Sequence, residues 1–206
     1  MEFGDYFIEF DRTGFPLVRK KDWDFFISLF PVSKYQFEIF LFDNDLLHEL
    51  YTDKWYRDKL KLNQRKKWWD CNEKNYELFL TGLKLKEIIP FLKYLGENFR
   101  LPQKEEWLKL HNKRTEIRNI FIELIKKKNV LENKKIAKPV SLWIEKLSIP
   151  LTEECILEML EDGENVIGKP DNELLPNLWF PYETRKVNWD TNIKKAIGFR
   201  VIMKIL

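Results

Sequence analysis

The chain has 206 residues, 44% hydrophobic and 33% charged, with a formal net charge of +3. A single domain of this length buries roughly 70% of the surface its unfolded chain exposes, so the composition argues against a disulfide-stapled miniprotein and against a disordered or fibrous chain. No apolar stretch reaches membrane-spanning length, and the acidic start Met1-Glu2-Phe3-Gly4-Asp5 does not read as a secretion signal. A cytoplasmic location is therefore expected, with Cys71 and Cys155 as free thiols of a reducing compartment. Positive charge gathers between Lys54 and Lys67 and between Lys104 and Lys138, and negative charge between Leu151 and Arg185. Runs of this kind are usually solvated helix faces, although a dipolar surface can steer an acidic partner.

Tyr6-Phe7-Ile8-Glu9-Phe10 is β-prone, and Asp11-Arg12-Thr13-Gly14 reads as a turn. The unbroken apolar run from Trp23 to Phe30 predicts a strand buried on both faces, ended by Pro31. Ser33 and Gln36 have capping-box spacing, with Val32 and Phe37 at the staple positions. Phe37, Phe40, Leu41 and Leu47 continue one helical face. Residues 51–75 interleave Trp55, Tyr56, Trp68 and Trp69 with Lys and Arg, a pattern in which rings can stack on bases while cations meet phosphate. The simpler reading is an amphipathic connection whose Trp side chains plug the core.

Leu80-Thr81-Gly82-Leu83 reads as a turn, and a helix is expected from Glu87 to Leu95, with Ile88, Phe91, Leu92 and Leu95 as its apolar stripe. Pro90 fits such a helix only in its first turn, and Gly96 suits its end. Residues 104–128 predict a long helix on the spacing of Ile117, Ile120, Phe121, Leu124 and Ile125. An exposed basic loop follows to Pro139, then a short amphipathic piece at 141–147. Asp162-Gly163 and Gly168-Lys169-Pro170 are turn signals, and Ile197–Ile205 reads as a final strand.

Three motifs in fixed order carry a resemblance: Pro31-Val32-Ser33-Lys34-Tyr35-Gln36-Phe37, then Arg100-Leu101-Pro102-Gln103 with Glu106-Trp107, then Gly198-Phe199-Arg200. In that order the chain resembles the formylglycine-generating enzyme (sulfatase-modifying factor) family, a branch of the C-type-lectin-like fold. The family reads Pro-Val-Thr-Asn-x-Gln-Tyr-x-x-Phe at the first motif and Arg-Leu-Pro-Thr-x-x-Glu-Trp at the second. Here Ser33, Lys34 and Phe37 replace Thr, Asn and Tyr, and Gln103 replaces the Thr cap. Residues 157–170 look like a degenerate form of a Gly-Asn-Val-x-Glu-Trp strand. The resemblance implies one α+β domain over residues 1–206, with irregular loops and packed helices. It gives Ser33, Gln36, Arg100, Glu106, Trp107, Gly198 and Arg200 structural work: Glu106 satisfying backbone donors or pairing with Arg100, Arg200 pairing with an acid of an earlier strand, and Gly198 permitting a close backbone approach or a special dihedral.

The family's reaction needs a pair of closely spaced cysteines near the C-terminus to hold copper(I), which thiolates suit. Cys71 and Cys155 lie in different segments, so the resemblance carries over the scaffold without the reaction. His48 and His111 do not form the two-histidine, one-carboxylate face that non-haem iron requires. Glu161, Asp162 and Glu164 read as a solvated acidic turn rather than a calcium loop. No metal ligand set and no cofactor are expected, and the balance leans away from an enzyme.

The expected role is non-catalytic recognition of a protein partner through Trp179, Phe180, Tyr182, Arg185 and Trp189, because aromatic and Arg side chains dominate interface energetics. The resemblance implies a regulatory subunit or adaptor of a bacterial multi-component system, conflict or defence loci included. Three alternatives stand beside it. The first is a metal-dependent oxidase of the same family with a rearranged site. The second is nucleic-acid binding through residues 54–69 and 104–138. The third is a variable target-binding protein with its variation in residues 177–195. No membrane partner is expected.

Overall fold

A computed structural model of the chain describes residues 1–44, 50–60, 79–126, 156–168, 180, 182–189 and 196–205. These residues form four helices and two sheets, a mixed α+β arrangement.

The chain opens with an antiparallel meander: β1 (Glu2–Phe3), β2 (Tyr6–Phe10), β3 (Pro16–Lys20) and β4 (Phe25–Ser28). Asp11 builds the β2–β3 turn; one of its carboxylate oxygens accepts from the Thr13 N–H at 2.8 Å and the Phe15 N–H at 3.0 Å, and Gly14 takes a positive φ of 81°. The expected strand from Trp23 to Phe30 shortens to its middle. Trp23 belongs to a turn, its N–H bonded to the Lys20 carbonyl, and after Phe30 the chain moves to the second sheet, where the Val32 N–H meets the Phe199 carbonyl at 2.8 Å. All four β4 residues are buried, as an apolar run on both faces requires.

The last expected strand is divided. Ile197–Phe199 (β9) lies in the second sheet and Ile202–Lys204 (β10) in the first. With β5 (Phe99–Arg100) the first sheet runs β1-β2-β3-β4-β10-β5. The second runs β8-β7-β6-β9, built from β6 (Leu157–Met159), β7 (Asn165–Gly168) and β8 (Arg185–Lys186), with β9 parallel to β6 and the other pairs antiparallel.

Helix α1 spans Lys34–Asn44, α2 Asp53–Lys59, α3 Leu85–Leu95 and α4 Lys104–Lys126. Leu110 and Ile117 of α4 share a core with Tyr6, Ile8, Val18, Phe25, Ile27 and Ile202, so α4 covers one face of the first sheet. Phe37 and Phe40 of α1 join Phe91 and Tyr94 of α3 in an aromatic core that extends to Leu157, Val166 and Phe199 of the second sheet. Its rings meet at 5.1–5.8 Å, largely edge to face.

Pro90 departs from expectation. Helix α3 begins at Leu85, where Glu87 accepts the Lys84 N–H at 2.8 Å, and this puts Pro90 in the second turn. An interior proline costs about 3 kcal/mol of helix propensity. Complete burial of Ile88 and Phe91 outweighs it, since each apolar side chain of this size contributes roughly 1.5–3 kcal/mol.

Candidate functional site

The seven motif residues are joined by hydrogen bonds and packing into a scaffold. Ser33 donates its N–H to the Gln36 side-chain oxygen at 3.0 Å, and the Gln36 N–H donates to the Ser33 hydroxyl at 3.2 Å, closing the expected capping box on α1. The Gln36 amide also donates to Asp11 at 3.0 Å, tying α1 to the β2–β3 turn. Burial pushes the Asp11 carboxyl above its ordinary range, and the donors from Thr13, Phe15 and Gln36 oppose that rise.

At the second motif, Arg100 holds Glu106 with two bonds, Nη1 to Oε2 at 2.7 Å and Nη2 to Oε1 at 2.5 Å. The Gln103 N–H donates to Glu106 at 2.8 Å, so Glu106 both pairs with Arg100 and caps α4. Loss of such a cap costs about 1 kcal/mol, and hydrogen bonds to charged groups contribute roughly 1.5–3 kcal/mol each. Gln103 turns away from capping and donates to Glu161 at 2.9 Å. Trp107 is fully buried against Leu160 and Ile167 and stacks on His111 at 5.1 Å. Burial, with Arg114 nearby, pushes the His111 imidazole down to about 4, so it is neutral at pH 7.

At the third motif, Arg200 is completely buried and bridges the two sheets. Its Nε and Nη2 donate to Glu158 of β6 at 2.7 and 2.9 Å, and its Nη1 to the Ser28 and Leu29 carbonyls at 2.7 Å. Glu158 is the acid of an earlier strand that the sequence called for. A Cβ on Gly198 would run into the Ile156 side chain and lie 3.0 Å from the Leu80 carbonyl oxygen, so the close approach is real.

The acidic turn is likewise structural. Asp162 accepts the N–H groups of Glu164 and Asn165, each at 2.8 Å, while Glu161 lies 3.6 Å from the Arg100 Nε. Among the described residues, no three His, Cys, Asp or Glu side chains converge on a metal-sized space. Cys71, Cys155 and His48 lie outside the described residues.

The expected recognition residues are partly gathered. Phe180 and Tyr182, 48% and 50% exposed, stack at 5.6 Å. Arg185 is exposed on β8, the edge strand of the second sheet, with its Nη2 3.3 Å from Glu183. Trp189 is half-buried with Val187 against the second core, and the Val187 N–H bonds the Glu164 carbonyl at 2.7 Å. These two residues root the segment that carries the exposed rings. Trp179 lies outside the described residues.

The basic segments look different once folded. Trp55 donates its indole N–H to Glu87 at 2.6 Å and packs on Tyr51 and Phe37, so it is a core ring rather than a stacking platform. On and beside α4, Lys113 pairs with Glu116 and Lys20 with Asp22, each at 3.2 Å, and the Lys109 ammonium sits 5.2 Å from the Phe25 ring centroid. Trp68, Trp69 and residues 127–138 lie outside the described residues. No helix among the described residues is long and apolar enough to cross a membrane. No protein-family model, curated protein or solved structure matches the chain.

Proposed function

We propose that the chain is a single formylglycine-generating-enzyme-like domain of C-type-lectin-like type that works as a non-catalytic adaptor. It recognises a protein partner through the β8 edge. The observation that carries this reading is the exposed, stacked Phe180–Tyr182 pair in the segment leading into the β8 edge strand, which carries Arg185 and is followed by Val187 and Trp189 against the second core. Exposed aromatic rings with an adjacent Arg are the composition of interface anchors. The scaffold reading is supported by the way the three motifs are used. Each resembles the family in sequence, and each performs a structural task here: capping α1, capping α4 through Glu106, and joining the sheets through Arg200. Groups engaged in this way are not offered to a substrate. On α4, Lys113 pairs with Glu116 and Lys109 lies against the Phe25 ring, so these two cations are engaged within the fold rather than held out to phosphate.

The test is affinity purification from the native host with the full chain, alongside Phe180→Ala/Tyr182→Ala and Phe42→Ala variants. The expected result is one protein recovered near stoichiometry, reduced roughly tenfold or more by the double substitution and unchanged by Phe42→Ala. Recovery indifferent to Phe180 and Tyr182 would refute the assignment of this face. Stoichiometric copper or iron, lost on Cys71→Ser or Cys155→Ser, would instead establish the oxidase.

A further inference from the structure

The face of the first sheet opposite α4 carries an ordered row that the proposed adaptor face does not use. Phe7 of β2 stands opposite Arg19 of β3, and Met203 of β10 stands opposite both Phe26 of β4 and Phe99 of β5. Leu17 pairs with Ser28 and Val18 with Ile27, so continuing that antiparallel register sets Arg19 opposite Phe26. The result is one row across five strands, Phe7–Arg19–Phe26–Met203–Phe99. The neighbouring row on this face runs from the exposed Glu9 through Leu17, Ser28, Val201 and Leu101, which are buried, and Glu9 forms no ion pair with Arg19. In the row itself Phe7, Arg19, Met203 and Phe99 are only half-buried.

Arg19 is the unusual member. Its guanidinium carbon lies 4.4 Å from the Phe7 ring centroid and 5.3 Å from that of Phe26, within cation–π reach of both rings. Its Nε is buried and has no hydrogen-bond partner, and among the described residues Arg19 forms no ion pair. By contrast Arg100 and Arg200 each hold a carboxylate with two bonds. A guanidinium partly stripped of water and lacking an acid is electrostatically incomplete.

We infer that this row is a docking surface for an extended acidic-aromatic peptide segment of a partner protein, with a carboxylate seated on Arg19 and flanking rings laid on Phe7, Met203 and Phe99. Charge complementarity selects the occupant: one cation in an otherwise apolar row calls for one carboxylate among apolar side chains. Length agrees. Four strand spacings of about 4.8 Å span roughly 19 Å, which an extended peptide of about six residues covers at 3.3 Å each. The surface is independent of the β8 edge, so an adaptor carrying both could hold two partners.

The test labels the methionine methyl groups with carbon-13 and follows Met203 by NMR. Met159, which is completely buried, serves as the internal reference. The probes are acetyl-Phe-Asp-Phe-amide and its isosteric neutral counterpart acetyl-Phe-Asn-Phe-amide. The Asp peptide is expected to move the Met203 resonance saturably and to bind about tenfold more tightly than the Asn peptide, the factor for one charge-assisted bond. Arg19→Gln should abolish that difference while leaving the Met159 resonance in place. A Met203 resonance indifferent to the Asp peptide, or equal affinity for the two peptides on the unaltered protein, would overturn the assignment. Neither outcome bears on the Phe180–Tyr182 face.

Discussion

Cutting the ion pair that joins the sheets tests the architecture most directly. Arg200 is fully buried and Glu158 is 2% exposed, and the guanidinium bonds Glu158 twice and the carbonyls of Ser28 and Leu29 once each. Glu158→Gln removes the carboxylate charge that the buried guanidinium holds with two bonds. Arg200→Met leaves the carboxylate stranded and two carbonyls without their donor. Breaking a buried pair from one side costs about 3–5 kcal/mol. For a chain of this size each kcal/mol lowers the melting temperature by about 2–4 °C, so each single variant should melt roughly 6–20 °C below the parent. Replacing both partners, Glu158→Leu with Arg200→Met, removes the uncompensated charge and should recover most of the loss, to within about 2 kcal/mol of the parent. Urea unfolding followed by circular dichroism and tryptophan fluorescence reads all four corners of the cycle, coincident transitions validating the two-state treatment. Single variants that lose less than about 1 kcal/mol, or a double variant that loses the sum of the singles, would refute the reasoning, because a buried charge must be expensive when left alone.

Two further outcomes follow from the geometry. Gly198→Ala should cost about 1–3 kcal/mol by overpacking; Ile156→Val, which deletes the methyl that the new Cβ would strike, should reduce that cost, and strictly additive urea midpoints would count against the contact. His111 is neutral when folded, with its pKa near 4 against an ordinary 6.5, so the unfolded chain binds the extra proton in that interval. Stability contributed this way is intact above pH 6.5 and falls as pH drops toward 4, by at most about 3 kcal/mol. Asp11 acts in the opposite sense because its carboxyl is raised. The comparison that isolates His111 is therefore the slope of parent minus His111→Gln, and parallel slopes would reject the desolvated imidazole.

Local signals were legible where one short stretch contains the whole cause. The Ser33–Gln36 box lies within four residues, and the structure forms both of its bonds. Glu106 likewise reaches Gln103 three residues back and Arg100 six residues back. Boundaries were less legible where tertiary partners decide them. The terminal apolar run reads as one strand, yet it divides because Phe199 answers Val32 while Val201 exchanges bonds with Ser28. That division brings the Arg200 guanidinium within reach of Glu158 of the second sheet and of the Ser28 and Leu29 carbonyls next to the first. Pro90 was misplaced for a related reason, since the depth of the helix start depends on Lys84 and Glu87 and on what Ile88 buries.

The two surfaces assigned to recognition differ in the same respect. Phe180, Tyr182 and Arg185 lie within six residues, so composition alone could single them out. The Arg19 row draws on β2, β3, β4, β5 and β10, with Phe7 and Met203 nearly the full chain apart. In sequence Arg19 is one more cation beside Lys20 and Lys21, and nothing in that run hints at rings on either side. Pairing register alone turns it into an arginine between two phenylalanines, and the absence of an acid is visible only after every neighbouring strand is in place. Arg100 and Arg200 are matched by Glu106 and Glu158, whereas Arg19 forms no ion pair among the described residues, which is why the proposed carboxylate is seated there.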